Sequence, residues 1–474
     1  MSEPRIVVIG AGPAGLALGL GLTRSGRRVT LVDRDGPQPI DDPASAFSTW
    51  SRPSVAQSLL PHSLLGRARR ALRLHAPDVL RGMLDAGAWE NDLRARLVKQ
   101  AAQPGDEDLV AVHVRRPVFE SVLRRAVLAE PLSRFVTGSV DRVTIESAGR
   151  EARVAGVEMA TGEMVPADIV IDASGRRSSV RRQLSESGVA TSEVKIEDCG
   201  LVYYCRYFRL RDGVDYPAWS GVLGPAGTTD CTRFSVFFGD NRTFAVALGV
   251  AAWERALKAL ARRENYMRAV ARFGVLAPFV ESEVAEPITD VLPMGALQNV
   301  YRPALVNGRA PVLGLHFVGD SFCHTNPLFA WGLCLALDHG FALAATIDRY
   351  PADTEAQALE FARLADGEAE RCYSAVAEED RDRSAMWRGE PLSGPWSGKT
   401  FAGFVRQCAG PAVMLDHDVA RAVLRRANLL DLPDLLSTDD RVVRRVIDLQ
   451  RDVPSPLAGT FPTRDELLEI VAQG

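Results

Sequence analysis

The chain has 474 residues, 46% of them apolar and 24% charged, with a formal net charge of −4. At roughly 100–200 residues per domain it holds two to four folding units of ordinary globular composition. Collagen-like and low-complexity chains are excluded, and the charge balance leaves no basic footprint for nucleic acid.

Residues 5–33 divide into strand, turn, helix and strand. Arg5–Ile9 is short and β-branched, residues 14–25 read as a helix stopped by Ser25-Gly26, and Arg28–Val32 is a second strand. Such a β-α-β unit implies a parallel sheet. The uncharged run Ile6–Leu22 also resembles a signal-peptide core or a short membrane span. Five glycines interrupt it and no small-residue cleavage site follows. Elsewhere no stretch reaches the ~18 apolar residues a span needs, so no membrane span is expected.

A proline-rich loop region, 36–63, precedes helical patterns at 64–86 and 117–129. Strands are expected at 135–145, 152–159 and 167–172. From about 198 the texture changes. Leu201–Leu210, Arg233–Phe238 and Thr243–Val250 are aromatic and apolar, and read as one mostly antiparallel sheet. Residues 251–273 look helical, Pro311–Asp320 contains a buried strand, and a helix spans about 331–349. The remainder is helical and charged, with starts at Ser437-Thr438 and at Thr463, whose Glu466 three positions on completes a capping box. The expected fold is therefore α/β: a Rossmann-like, three-layer dinucleotide-binding domain with a parallel sheet (1–195 and 300–350), an inserted antiparallel substrate sheet (196–299) and a helical C-terminal region (351–474). Seven scattered cysteines without a CxxC argue against a disulfide framework or a thiolate zinc site, and fit a reducing cytoplasm. No metal is expected.

Three motifs carry chemistry. The first is Gly10-Ala-Gly12-Pro13-Ala14-Gly15, with Asp33 18 positions after its last glycine, at the end of the next strand. Gly10 permits a tight turn, Gly12 lets a pyrophosphate approach the backbone, and Gly15 lets helix and strand pack closely. The helix N-terminus faces the phosphates with free N–H groups, and Asp33 can accept ribose hydroxyls. Taken alone, this motif does not separate FAD from NAD. The second is Leu315-His-Phe-Val-Gly319-Asp320, a buried strand ending in a carboxylate, followed by His324-Thr-Asn-Pro327-Leu-Phe329-Ala330-Trp331-Gly332 and a helix. That helix N-terminus would stabilise negative charge on a flavin. The third is Ala167-Asp-Ile-Val-Ile-Asp172-Ala-Ser174-Gly175-Arg-Arg-Ser178, a strand ending in a polar turn.

In this order the motifs resemble the flavoprotein monooxygenase superfamily with a glutathione-reductase-type FAD domain, over roughly residues 4–350. This group includes aromatic hydroxylases, squalene-epoxidase-like enzymes, halogenases and geranylgeranyl-reductase-like proteins. The resemblance implies that Gly10, Gly12, Pro13, Ala14, Gly15, Asp33 and Arg34 hold the ADP half of FAD. It puts Gly319 and Asp320 on the ribityl chain and phosphates, and Pro327 and Gly332 beside the isoalloxazine. Arg116, at a helix start, resembles a flavin-contacting arginine. Arg52, in a loop that resembles one running past the flavin, is a candidate catalytic residue, as is His324. His62 is a weaker candidate.

The resemblance further implies an oxidoreductase that inserts oxygen through a flavin C4a-hydroperoxide, with O2 as co-substrate. Its substrate would be a hydrophobic small molecule, aromatic or polycyclic among the options, hydroxylated or epoxidised. Candidate wall residues are Tyr203, Arg206, Phe237, Phe329 and Trp331, although strand alternation limits how many face inward together. A reductase or dehydrogenase of an unsaturated lipid or ring is the alternative; a non-catalytic flavoprotein ranks lower. Two departures matter. The third motif has Ala-Ser174-Gly175 where hydroxylases carry Asp-Gly, a feature tied to nicotinamide use. Ala330 also replaces the first glycine of Pro-x-x-Gly-x-Gly. Electrons would come from NADPH or NADH, directly or through a separate flavin reductase. Halogenation is disfavoured, because no two of the seven tryptophans lie two apart and Lys99 is the only lysine before Lys195.

Overall fold

The first strand, β1 (Ile6–Ile9), consists of four buried apolar residues, which suits a strand covered on both faces. This is a computed structural model, and it describes residues 3–37, 41–97, 102–148, 151–219, 224–396, 398–449 and 460–473. Lys99 lies outside them.

β1 leads through the glycine turn into helix α1 (Pro13–Arg24) and then β2 (Val29–Asp33). Both strands pair in parallel, Ile6 opposite Val29. The apolar run Ile6–Leu22 is thus a buried strand and a buried helix rather than a membrane-crossing segment. No helix among the described residues is long and apolar enough to span a bilayer. The five-stranded sheet runs Leu315–Phe317, Ile169–Asp172, β1, β2, Ser133–Thr137, every pairing parallel. The strand Leu315–Phe317 docks on Ile169–Asp172, so the second and third motifs end side by side. The helix Trp331–Arg349 packs along α1: a Cβ on Gly340 would stand 2.8 Å from the backbone oxygen of Ala14.

A second sheet orders Ala226–Thr228, Thr232–Phe238, Thr243–Ala251, Leu201–Leu210 and Ala285–Pro287, with Leu292–Met294 also on Leu201–Leu210. All its pairings are antiparallel. Its two faces differ. Phe208, Phe234, Phe238 and Phe244 enter a core closed by Tyr266, Phe273 and Phe279, while Tyr203, Cys205 and Phe237 turn to the opposite side.

Several segments depart from expectation. The helix expected over 64–86 is two, Gly66–His75 and Pro77–Asp85, broken at Ala76, where the residue before a proline leaves helical geometry. The strand expected over 135–145 is likewise two, Ser133–Thr137 and Val140–Ala148, separated at Gly138. Residues 251–273 hold a 3-10 segment (Arg255–Ala261) and a short helix (Arg263–Val270).

The tail contributes a 34-residue helix, Thr354–Trp387. Near its end, buried Asp380 accepts from Asn299 Nδ2 and Asn326 Nδ2, each at 2.7 Å, and from Arg383 at 2.6 Å. Asn326 in turn caps the turn Pro327–Phe329, its Oδ1 accepting from Leu328 N at 3.1 Å. The tail therefore fixes the turn that precedes Trp331–Arg349. The capping box at Thr463 forms as expected, opening the helix Arg464–Ala472.

Because Asp380→Ala leaves Arg383 buried without its carboxylate, the variant should lose about 3–5 kcal/mol of stability. Urea unfolding checks this; a loss under about 1 kcal/mol would contradict the anchoring role.

Candidate functional site

A cavity of about 370 Å³ runs along the C-terminal edge of the parallel sheet. At one end are Asp33, Arg34 and Asp141; Gly319 and Asp320 line its course; Pro327, Gly332 and Leu333 line the other end. Open parallel sheets place ligands at this edge.

Gly10 has φ +99°, which a side chain would strain. A Cβ on Gly15 would stand 2.1 Å from Gly10 O, whereas one on Gly12 would meet nothing within 4 Å. The three glycines therefore do what their spacing predicts: turn, open approach and close packing. α1 carries no side-chain cap, so its first N–H groups face the cavity uncapped. The helix Trp331–Arg349 also lacks a side-chain cap, and Gly332 is open on its cavity side. Arg34, Arg176 and Arg177 line the cavity and make no ion pair among the described residues. Two open helix N-termini, unpaired arginines and a glycine cradle fit a dinucleotide carrying a diphosphate.

The two motif carboxylates are in different states. Asp320 lines the cavity, and its carboxylate accepts no hydrogen bond among the described residues; only its backbone oxygen does, from Arg302 at 3.1 Å. Asp33 is buried and already engaged. It accepts from Ala11 N (2.7 Å), Asp35 N (3.0 Å) and Arg52 Nη2 (3.1 and 3.2 Å).

Arg52 thus corrects an expectation. Its guanidinium does not stand free near the far end of the cavity. It spans Asp33, Asp35 (3.2 Å), Glu120 (2.8 Å) and Ala11 O (3.2 Å), all buried or partly buried. Every nitrogen is bonded within this cluster, although the side chain also lines the cavity. Glu120 also holds Arg116 at 2.5 Å, and Arg116 reaches His62 Nε2 at 3.1 Å. His62 Nδ1 is 2.8 Å from Leu60 O. This geometry puts the proton on Nδ1, so His62 donates to the carbonyl and accepts from Arg116. Burial, then the Arg116 charge, push its pKa down to about 3, so the ring is neutral. Burial pushes Glu120 up, but Arg116 and Arg52 outweigh it and leave it at about 2.

In the third motif Asp172 is fully buried and accepts from Ser174 N (2.9 Å), Ser174 Oγ (2.5 Å) and Ser178 Oγ. Ser174 thus holds the strand-ending turn. His324 lines the cavity, its ring without a hydrogen bond among the described residues.

Of the substrate residues, Phe237 lines both the main cavity and a small pocket beside it, and Tyr203 lines the small pocket. Arg206 does not. Three positions from Tyr203 on one strand, it points to the other face, where its Nε donates to Thr289 O at 2.8 Å. Trp331 and Phe329 line neither space. They stack on each other at 4.7 Å under Arg426, and Trp331 Nε1 donates to Ala427 O at 3.2 Å. The tail covers them.

Glu120, Arg124, Asn326 and Asp380 were not anticipated. Arg124 Nη2 donates to Ala11 O at 2.7 Å and also reaches Gly36 O. The spacing Arg116, Glu120, Arg124 on one helical face was the available signal, since charges four apart inside an otherwise apolar helix face a common partner.

Comparison with known proteins gives partial matches. The tryptophan halogenase family matches residues 69–207, under a third of the chain. Squalene monooxygenase of Mus musculus is 27% identical over 202 residues, 40% of this chain and 32% of its own length. The 3-demethoxyubiquinol 3-hydroxylase of Escherichia coli K12 is 31% identical over 188 residues, 39% of this chain and 44% of its own. The chain thus aligns with less than half the length of these curated relatives. Among solved structures, the flavin-dependent brominase Bmp2 superposes with a TM-score of 0.58 over 95% of this chain and all of its own, at 16% identity.

Two outcomes follow. Glu120 is depressed to about 2 from an ordinary 4.5, so its stabilisation is complete above pH 4.5 and disappears as pH falls toward 2. That segment amounts to roughly 3 kcal/mol, and Glu120→Gln should remove it from a pH series of unfolding free energies. An unchanged acid limb would contradict the network. Ala330 sits at φ +56°. Ala330→Gly should raise stability by up to about 1 kcal/mol, read as a higher Tm.

Proposed function

We propose that this chain, which groups with the FAD-dependent monooxygenase superfamily by fold and by partial sequence likeness, binds FAD in the main cavity and inserts oxygen into an apolar small molecule. The observation that carries the cofactor assignment is the pairing of the Gly10–Gly15 cradle with an unengaged Asp320 in one cavity. In this reading Gly12 and α1 face the diphosphate, Arg34, Arg176 and Arg177 supply its counter-charge, and Asp320 accepts ribityl hydroxyls. Pro327 and Gly332 border the ring. Bound flavin supplies the redox and oxygen chemistry.

The protein's own part is position, dryness and proton handling. The wall between the ring end and the second sheet is apolar, with Phe237, Met294 and Pro327 common to the cavity and the small pocket. His324 is the unbonded imidazole facing this space, able to hold or deliver one proton at the ring end. His62 is assigned no proton transfer, since both nitrogens are bonded and the ring stays neutral. Electrons come from NADPH or NADH, most simply through a separate flavin reductase, because Ser174 stands where direct users carry aspartate. Hydroxylation and epoxidation remain alternative outcomes at one site. Halogenation is favoured by the family match over 69–207 and opposed by the absence of paired tryptophans.

Asp320→Ala should weaken FAD about 10–100-fold, as expected for losing bonds to a charged acceptor, with little change in Tm. Fluorescence titration of the apoprotein reads this; unchanged affinity would remove Asp320 from the site. Rapid mixing of the reduced holoprotein with O2 tests the reaction. A monooxygenase shows a spectrally distinct species before oxidised flavin returns. Direct one-step return, with anaerobic turnover of an unsaturated acceptor, would favour the reductase. Bromide-dependent product would favour the halogenase.

A further inference from the structure

Arg233 lacks a hydrogen-bonding partner among the described residues. Five arginines have a buried Nε without an acceptor: Arg124, Arg181, Arg233, Arg268 and Arg383. Four of them place another nitrogen on an oxygen. Arg233 makes no hydrogen bond and no ion pair among the described residues. The neighbouring carboxylates are taken: Glu379 is held by Arg406 at 2.8 Å, and Asp380 by Arg383 at 2.6 Å. Arg233 is only partly buried, but its Nε is shut away from solvent without an acceptor, and a buried N–H left unpaired is costly unless something completes it.

The strand register explains the space around it. Tyr203, Gly249 and Arg233 form one row across three strands; Cys205, Ala247 and Ser235 form the next. Ala247 makes the floor of a trough, and Tyr203 and Arg233 line it from the neighbouring row. The Tyr203 ring packs over Gly249, where a Cβ would stand 2.9 Å from Tyr203 Cε1 and 3.3 Å from Arg233 Cβ. The pocket measures about 40 Å³ and shares Pro61, Phe237, Met294 and Pro327 with the main cavity. It has room for a group the size of one or two waters, at ~30 Å³ each, and not for a ring.

We propose that this pocket is the inner end of the substrate site and that Arg233 binds a carboxylate carried by an otherwise apolar, ring-bearing substrate. The inference rests on the proposed function, since the ring must then lie between Phe237 and the flavin end of the main cavity. Burial pulls the Arg233 pKa down, a penalty that an arriving anion relieves. The planar fork of arginine suits a carboxylate better than a hydroxyl or an amide. Arg233 anchors the substrate; it has no part in the oxygen step.

The test uses the FAD-loaded full chain and two matched probe pairs, benzoate with benzamide and 1-naphthoate with 1-naphthamide, titrated by flavin absorbance and calorimetry. The acids should bind at least about 10-fold more tightly than their amides. Arg233→Met should abolish that preference and Arg233→Lys should keep part of it. FAD affinity should be unchanged in both, and the Tm of ligand-free Arg233→Met should be equal or higher, because a buried N–H without an acceptor has left the wall. Gly249→Ala, whose Cβ would displace the Tyr203 ring and the Arg233 stem, should weaken acids and amides alike. Equal affinity of acid and amide in the wild type, no binding of either acid at millimolar concentration, or a preference that survives Arg233→Met would overturn the proposal. A marked fall in the Tm of Arg233→Met would likewise assign Arg233 a structural partner. Failure of the wild type to bind FAD would instead contradict the proposed function, so the two failures are distinguishable.

Discussion

Glu120 is the carboxylate on which the Asp33 end of the cavity depends. It is buried inside a helix and bonds two arginines from different directions, Arg52 at 2.8 Å and Arg116 at 2.5 Å. Through Arg52 it reaches Asp33 and the backbone oxygen of Ala11, the residue between the first two motif glycines. Through Arg116 it reaches His62. The glycine turn, the end of β2, the loop at 52–62 and the helix Arg116–Ala129 are therefore tied by one buried cluster. Three carboxylates (Asp33, Asp35, Glu120) face three guanidinia (Arg52, Arg116, Arg124), so charge balances within it. Breaking such a pair strands a buried charge, which costs far more than the pair itself contributes.

That balance has a consequence for ligand binding. Since the cluster neutralises itself, a bound diphosphate must find its counter-charge elsewhere. In the proposed reading it comes from the open end of α1 and from Arg34, Arg176 and Arg177, which make no ion pair among the described residues. The division also separates two aspartates that look alike in sequence. Asp33 is mainly a structural acceptor that positions the turn, while Asp320 keeps its oxygens for a ligand. A similar division holds at the ring end, where Asp380, far along the chain, steadies the turn Pro327–Phe329 through Asn326.

Local signals were the legible ones. The β-α-β unit, the helix Trp331–Arg349, the strand Leu201–Leu210 and the capping box at Thr463 rest on short-range patterns and were read within a residue or two. The errors came from partners distant in sequence. Arg52 is a candidate catalytic residue in the sequence because nothing local shows that Glu120, 68 positions away, receives it. Trp331 and Phe329 were read as walls because the tail residues Arg426 and Ala427 that cover them follow about 100 positions later. Arg206 failed on parity alone: with Tyr203 facing the pocket, a residue three further along a strand faces away. Arg233 was named only as the first residue of a strand, since the absence of a partner is visible only once the surrounding carboxylates are seen to be occupied.

The central claim is that the whole cavity, from Asp33 to Gly332, holds one FAD. Titration of the apoprotein with FAD, followed by flavin fluorescence quenching and repeated in the presence of ADP and of NAD+, tests it most directly. FAD should saturate at one per chain, ADP should compete for the Asp33 end, and NAD+ should not displace FAD. Failure to bind FAD, or stoichiometric binding of NAD+ in its place, would contradict that claim.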